Sequence, residues 1–292
     1  MATPDEAAAG ARAPARVSVC LPARNEAPTI GAIVREAAAV AVVDEVVVID
    51  DGSTDDTARV ARAAGARVVA EASVLPETGP GSGKGNALWK SVDACTGDVI
   101  CWLDADLRNF RGEYVERLCA PLLADSGVMF VKAYYTRSFE GAPTGGGRVT
   151  ELVARPLISL LFPKLADIVQ PLGGEYAARR RAVECVSFVE GWGVELGLLV
   201  DIVDRFGRDA VAQVDLGVRE HRNRPLEELG PQALAVLATA LRRAGVLALD
   251  APSIELLHGA PDGAIDAQPV EVRERPPMIT IPGYRARRDL PR

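Results

Sequence analysis

The sequence predicts an α/β fold: a mostly parallel sheet flanked by helices, with a smaller second region and a helical C-terminal part. Val46-Val47-Val48-Ile49 is an unbroken apolar run, the pattern of a parallel strand buried on both faces. Val17–Pro22 and the run ending at Asp104 are two more short apolar stretches. Strand-like and helix-like segments alternate from Val17 to Asp104, which implies right-handed βαβ units. Ligands of such sheets sit beyond the carboxyl ends of the strands, so the turns after Leu21, Ile49 and Leu103 are expected to share one crevice.

The elements follow in order. After the first strand, Pro28 starts a helix whose apolar positions include Ile30, Ile33 and Val34. Asp50-Asp51-Gly52 turns the chain after the second strand, and Ser53 or Thr54 can cap the next helix, with Asp55 and Asp56 in its first turn. Gly65 ends that helix and Arg67–Ala70 is a strand. Gly79 to Gly85 is a glycine-rich loop ahead of a helix near 86–95. Met129–Tyr135 reads as a strand, Gly145-Gly146-Gly147 as a flexible break, and Thr150–Leu161 as a helix disturbed by Pro156. Gly173-Gly174-Glu175 is a tight turn. Leu196, Leu199, Val200 and Val203 mark one helical face, Ala210–Leu216 is a strand, and 226–248 is helical with a break near Gly230-Pro231. The tail from Pro261 is polar, rich in proline and arginine, and expected to be loosely ordered.

Length and composition allow one large α/β domain or two closely packed halves in 292 residues, with 48% hydrophobic and 25% charged residues. A net charge of −7 argues against broad nucleic-acid binding. Cys20, Cys95, Cys101, Cys119 and Cys185 have no CxxC spacing and read as reduced thiols of a cytoplasmic protein; with only two histidines, a zinc site is not expected. Residues 1–15 lack the apolar core of a signal peptide and read as a disordered leader. No apolar run approaches the ~18 residues that span a bilayer, so no integral membrane segment is expected.

Asp104-Ala105-Asp106 carries the strongest chemical signal. In an extended chain the i, i+2 spacing puts both carboxylates on one face, where they repel unless a cation lies between them. A hard divalent cation that also grips a diphosphate resolves this, which suggests a nucleotide or nucleotide-sugar enzyme; two solvated acids at a strand end are the plain alternative. Pro22-Ala23-Arg24-Asn25-Glu26 could hold a ribose or base, or be a simple helix-starting loop. Asp50 or Asp51 could accept from a base N–H, or cap a helix. Gly81-Ser82-Gly83-Lys84-Gly85 lets backbone and ammonium approach phosphate, although it is not a Walker loop, because Gly85 follows Lys84. Arg148 and Thr150 beside the triple glycine suit a phosphate or carboxylate. If extended, Arg219, His221 and Asn223 project from one face, and His221 could complete a metal shell begun by Asp106. His258 reads as structural.

Together these segments resemble the GT-A-fold (Rossmann-like) glycosyltransferases, and within them the retaining glucosyl-3-phosphoglycerate synthases of actinobacteria. The general resemblance rests on the PxxNE-like loop, the DDGSTDDT segment, the GKG loop and the DxD. The narrower one rests on Gly146–Pro156, Gln170–Tyr176 and Leu216–Pro225. It implies a nucleotide-sugar-binding half at 16–130, an acceptor-binding half at 131–225, and a helical segment with a loose tail at 226–292. It further implies that Pro22, Ala23, Glu26 and Asp50 or Asp51 contact the nucleoside. Lys84 and Asp104 would touch the donor, and Asp106 and His221 would bind Mg²⁺ or Mn²⁺. Gly147, Arg148, Thr150 and Asn223 would hold 3-phosphoglycerate, with Glu195 and Arg219 beside the donor sugar. UDP-glucose is the favoured donor and a homodimer the implied assembly. A mannosyl-3-phosphoglycerate synthase using GDP-mannose, another GT-A transferase with a different acceptor, a sugar-phosphate nucleotidyltransferase and a non-catalytic nucleotide-sugar-binding module are the competing readings.

Overall fold

A computed structural model describes residues 15–139, 142–145, 147–219, 228–248, 251–259 and 263–290. The first half alternates as expected: β1 (Val17–Ala23), α1 (Ala27–Ala38), β2 (Glu45–Asp50), α2 (Thr57–Ala63), β3 (Arg67–Ala70), α3 (Gly83–Ala94) and β4 (Val99–Trp102). The chain continues through α4 (Glu113–Ala124), β5 (Phe130–Phe139), β6 (Ala142–Gly145), α5 (Arg155–Leu161), β7 (Tyr176–Arg179), α6 (Arg180–Val183), β8 (Phe188–Val189), α7 (Val194–Phe206) and β9 (Val211–Arg219). It ends with α8 (Leu229–Arg243), β10 (Ser253–Gly259), β11 (Ile265–Glu271), β12 (Glu274–Arg275) and α9 (Pro282–Arg287).

Among the described residues the main sheet runs β3-β2-β1-β4-β7-β5-β6, with β9 added on β5. The strands β3, β2, β1 and β4 are mutually parallel, β7 is antiparallel to both β4 and β5, and β9 is parallel to β5. Burial on both faces explains the unbroken apolar strands. Val46 and Val48 of β2 pack with Val19, Leu21, Ile30, Ile33 and Leu118 on one side, under α1 and α4. Val47 and Ile49 point to the other side, into a core with Trp89, Trp102, Tyr176 and Leu199 from α3, β4, β7 and α7. The five cysteines are unpaired, and all but Cys185 are buried.

Several local expectations are corrected. Ser53 and Thr54 do not cap α2; the Asp55 carboxylate accepts from the Thr57 amide (2.9 Å) and hydroxyl instead. The helix after the glycine-rich loop begins at Gly83, so Lys84 lies in its first turn. Pro156 does not end the helix: the turn before it, Thr150–Ala154, is π-helical, and the helical chain continues through it to Leu161. Gly230-Pro231 likewise sits in the first turn of α8 and does not break it.

Over residues 263–290 the tail is not loose. β12 pairs antiparallel with β8, the Trp89 indole donates to the Pro276 carbonyl at 2.8 Å, and the Tyr284 hydroxyl donates to Glu184 at 2.6 Å. Met278 and Tyr284 are fully buried. The high proline and arginine content hid these apolar anchors.

Candidate active site

The carboxyl ends of β1, β2 and β4 meet the N-terminus of α3 around one open cleft of about 360 Å³. Its lining includes Pro22, Ala23, Glu26, Asp51, Lys84, Asp104 and Asp106, so seven residues expected on the donor side share one wall. Asp50 does not line it; its Oδ1 accepts from the Ser53 amide at 3.1 Å and holds the turn. Asp104 and Asp106 follow the end of β4 in a turn rather than on an extended strand, yet both reach the cleft.

Short loops are stitched to one another to make this wall. Asn25, with a left-handed φ of 59°, accepts from the Thr54 amide at 2.8 Å, and its own amide donates to Ser53 Oγ at 3.1 Å. This binds the loop after β1 to the loop after β2. The Thr29 hydroxyl donates to the Ala105 carbonyl at 2.6 Å and anchors the turn between the two aspartates.

Lys84 is the centre of the charge arrangement. Its Nζ lies 2.6 Å from Asp104 Oδ1 and 2.9 Å from Glu195 Oε1. Burial works against the ammonium, but Asp104 and Glu195 outweigh it and hold its pKa well above the usual lysine value. Glu195, in the first turn of α7, is buried behind Lys84 and does not line the cleft. The Glu26 carboxyl is pushed up, first by burial and then by the charge of Asp106. Burial also raises Asp51, against the pull of Arg24. Three carboxylates, Glu26, Asp104 and Asp106, thus face one another closely enough for the charges of the two aspartates to raise Glu26, an arrangement of oxygen donors that suits a hard divalent cation. No cluster of three or more side chains able to enclose a metal occurs among the described residues, so Asp106 would need oxygens from a bound diphosphate or from residues outside that set.

Three contributors went unread in the sequence. Lys132 is buried in β5, donates to the Gly173 carbonyl, and lies 4.5 Å from the centre of the Tyr176 ring. Burial depresses its pKa to about 7 against the attraction of Glu195. Gly174 packs so closely on Asp104 that an added Cβ would collide with the carboxylate. Trp192, just ahead of α7, also lines the cleft. A lysine inside the apolar run Phe130–Ala133 was the available signal for the first.

The acceptor-side residues are placed less completely. Gly147 has a positive φ of 77°, and Arg148 and Thr150 follow it at the entry to the π-helical turn, with Thr150 buried; none of the three lines the cleft. Arg219 ends β9. His221 and Asn223 lie outside the described residues.

The fold and site define a nucleotide-sugar transferase: residues 18–186 match the pattern of glycosyl transferase family 2, to which the chain belongs. Within it the chain is a member of the glucosyl-3-phosphoglycerate synthase family. It is 48% identical to the glucosyl-3-phosphoglycerate synthase of Mycolicibacterium paratuberculosis, over 93% of this chain and 86% of that protein. It is 42% identical to that of Petrotoga mobilis, over 92% of this chain and 88% of that protein. The crystal structure of the Mycobacterium tuberculosis synthase with Mn²⁺, UDP-glucose and phosphoglyceric acid matches with a TM-score of 0.83, at 46% identity and 91% coverage of each chain. The same synthase has been solved with Mg²⁺ and UDP.

Proposed function

We propose that this chain transfers glucose from UDP-glucose to the 2-hydroxyl of 3-phosphoglycerate with retention at the anomeric carbon. The observation that carries the reading is the wall formed by Glu26, Asp51, Lys84, Asp104 and Asp106 at the ends of three parallel strands. Relatives of this similarity are named for that reaction, and a solved relative holds UDP-glucose and phosphoglyceric acid together.

Pro22, Ala23, Glu26 and Asp51 are positioned to hold the nucleoside, beyond the strand ends where such sheets bind nucleotides. Lys84 sits where an ammonium can meet the diphosphate, and its two carboxylate partners keep it charged. Asp106 would hold Mg²⁺ or Mn²⁺ together with diphosphate oxygens. The ion, when bound, supplies electrostatic stabilisation to the leaving nucleoside diphosphate. Same-face attack by the acceptor hydroxyl is favoured over a covalent intermediate. Glu195 touches Lys84 from behind at 2.9 Å, which fits a role in orientation better than one as a nucleophile. Arg148, with Thr150 and the backbone at Gly147, is assigned to the acceptor's phosphate and carboxylate. His221, Asn223 and Arg219 keep the roles the resemblance implies. An enzyme of a nucleoside-diphosphate sugar with unpaired buried thiols fits the cytoplasm. No helix among the described residues is long and apolar enough to cross a membrane.

Parallel reactions with UDP-glucose, GDP-glucose and GDP-mannose, each with 3-phosphoglycerate and Mg²⁺, test the donor. Preferred turnover of UDP-glucose is expected; preferred turnover of GDP-mannose would replace this reading with the mannosyl one.

A further inference from the structure

The glycine-rich loop that delivers Lys84 is held from behind by the end of the chain. Arg275, on β12, is only 5% exposed. Its guanidinium donates to the Thr78 carbonyl (2.9 Å), the Gly79 carbonyl (3.3 Å) and Asn86 Oδ1 (2.9 Å). These acceptors flank Lys84 on both sides, two in the entry to the loop and one in the first turns of α3. The Arg275 Nε also lies 2.7 Å from Glu190 Oε1. Glu190 is fully buried, and its other oxygen accepts from the Ser82 amide at 3.3 Å. The Trp89 ring lies 5.3 Å from the guanidinium carbon. From Asn86 the network continues to Glu71, which pairs with the buried Lys90 at 2.7 Å.

The loop's glycines answer to this packing. A Cβ at Gly81 would collide with Arg275 Nη2 and Asn86 Oδ1, and one at Gly85 with the Val189 carbonyl. Their absence of side chains lets Arg275 and β8 approach the loop backbone.

We propose that Arg275 is a positioning residue for the transfer reaction: it sets the span of the loop from Thr78 to Asn86 and so places Lys84 against Asp104 and Glu195. The proposal rests on the donor role given to Lys84 above. A planar guanidinium can serve three acceptors and one carboxylate at fixed angles, whereas a lysine keeps the charge and loses the fork. A misplacement of about 1 Å at a group that meets the reacting diphosphate is enough to cost on the order of a hundredfold in rate.

The test uses the full chain with Mn²⁺. Arg275→Lys is expected to lower kcat at least about tenfold and to weaken UDP affinity in calorimetry, with the KM for 3-phosphoglycerate unchanged. Arg287→Ala serves as control, because Arg287 ties the same tail to Asp93 at 2.8 Å without touching the loop; its kcat should stay at the wild-type value. In a Lys84→Ala background, Arg275→Lys should change UDP affinity by less than about twofold, since a residue acting through Lys84 has nothing left to position. Wild-type kcat and UDP affinity in Arg275→Lys, or an undiminished effect without Lys84, overturns the proposal. Should Arg275→Lys fail to fold, Gly81→Ala carries the same comparison from the loop side. If the wild-type protein transfers no glucose, the proposed reaction fails, and the UDP titrations still decide whether Arg275 acts through Lys84.

Discussion

Lys84 and Asp104 form an ion pair with a 2.6 Å contact across 20 residues of sequence, at the junction of the first turn of α3 with the turn after β4. Both ends are constrained: α3 by the loop behind it, and Asp104 by the backbone of Gly174. The pair ties a cation to a wall of carboxylates before any anionic donor arrives.

Removing the cation exposes that wall. Lys84→Ala is expected to lower kcat/KM on the order of a hundredfold to a thousandfold, the range seen when one preorganised donor to developing charge is lost. Lys84→Arg is not expected to restore it, because the guanidinium is longer and bulkier than the ammonium that fits 2.6 Å from Asp104 and 2.9 Å from Glu195, and its charge would be displaced from that point. Steady-state kinetics with varied UDP-glucose check both.

Gly174→Ala should separate activity from folding. The new methyl would meet the Asp104 carboxylate, whose side chain can swing away at a cost of about 1–3 kcal/mol. A protein that still unfolds cooperatively, with strongly reduced kcat, is expected; denaturant titration and kinetics on one preparation check it.

The parallel half of the fold was legible in the sequence because Val46–Ile49 is apolar on both sides and Val17–Leu21 departs from this only at Ser18, whose buried hydroxyl is paired with Glu45, and the shared cleft followed from strand ends that converge. Asp50 was not separable from Asp51 by sequence, since either could face the cleft or hold the turn. Lys132, Gly174 and Arg275 were not legible because their roles depend on contacts across the sheet or across most of the chain. The tail misled for a physical reason: Arg275 is buried and donates to the Thr78 and Gly79 carbonyls, and Arg288 donates to the Cys95 carbonyl, so part of its charge is turned inward.

Arg148→Ala is expected to raise the KM for 3-phosphoglycerate at least about tenfold, the scale of one lost charge-assisted hydrogen bond, while moving the UDP-glucose KM little. Equal effects on both constants would remove Arg148 from the acceptor site. Initial rates over a two-substrate grid give both constants.

Glu45 sets an acid limit on stability. Burial pushes its carboxyl up, but hydrogen bonds from Arg67, Ser18 and Thr96 prevail and hold it at about 2, below the ordinary value of 4.5. The folded state therefore gains stability that is complete above about pH 4.5 and lost as pH falls through about 2. Allowing for its partial exposure to solvent, Glu45→Gln should cost about 1–2 kcal/mol at pH 7 and progressively less toward pH 2. Urea unfolding of the two proteins across that range measures the difference.

The most direct measurement is a proton NMR time course of the protein with UDP-glucose, 3-phosphoglycerate and Mg²⁺. Appearance of glucosyl-3-phosphoglycerate with the α-anomeric configuration of the donor is expected. Tight UDP binding with no transfer to 3-phosphoglycerate, or a β-linked product, would contradict the account.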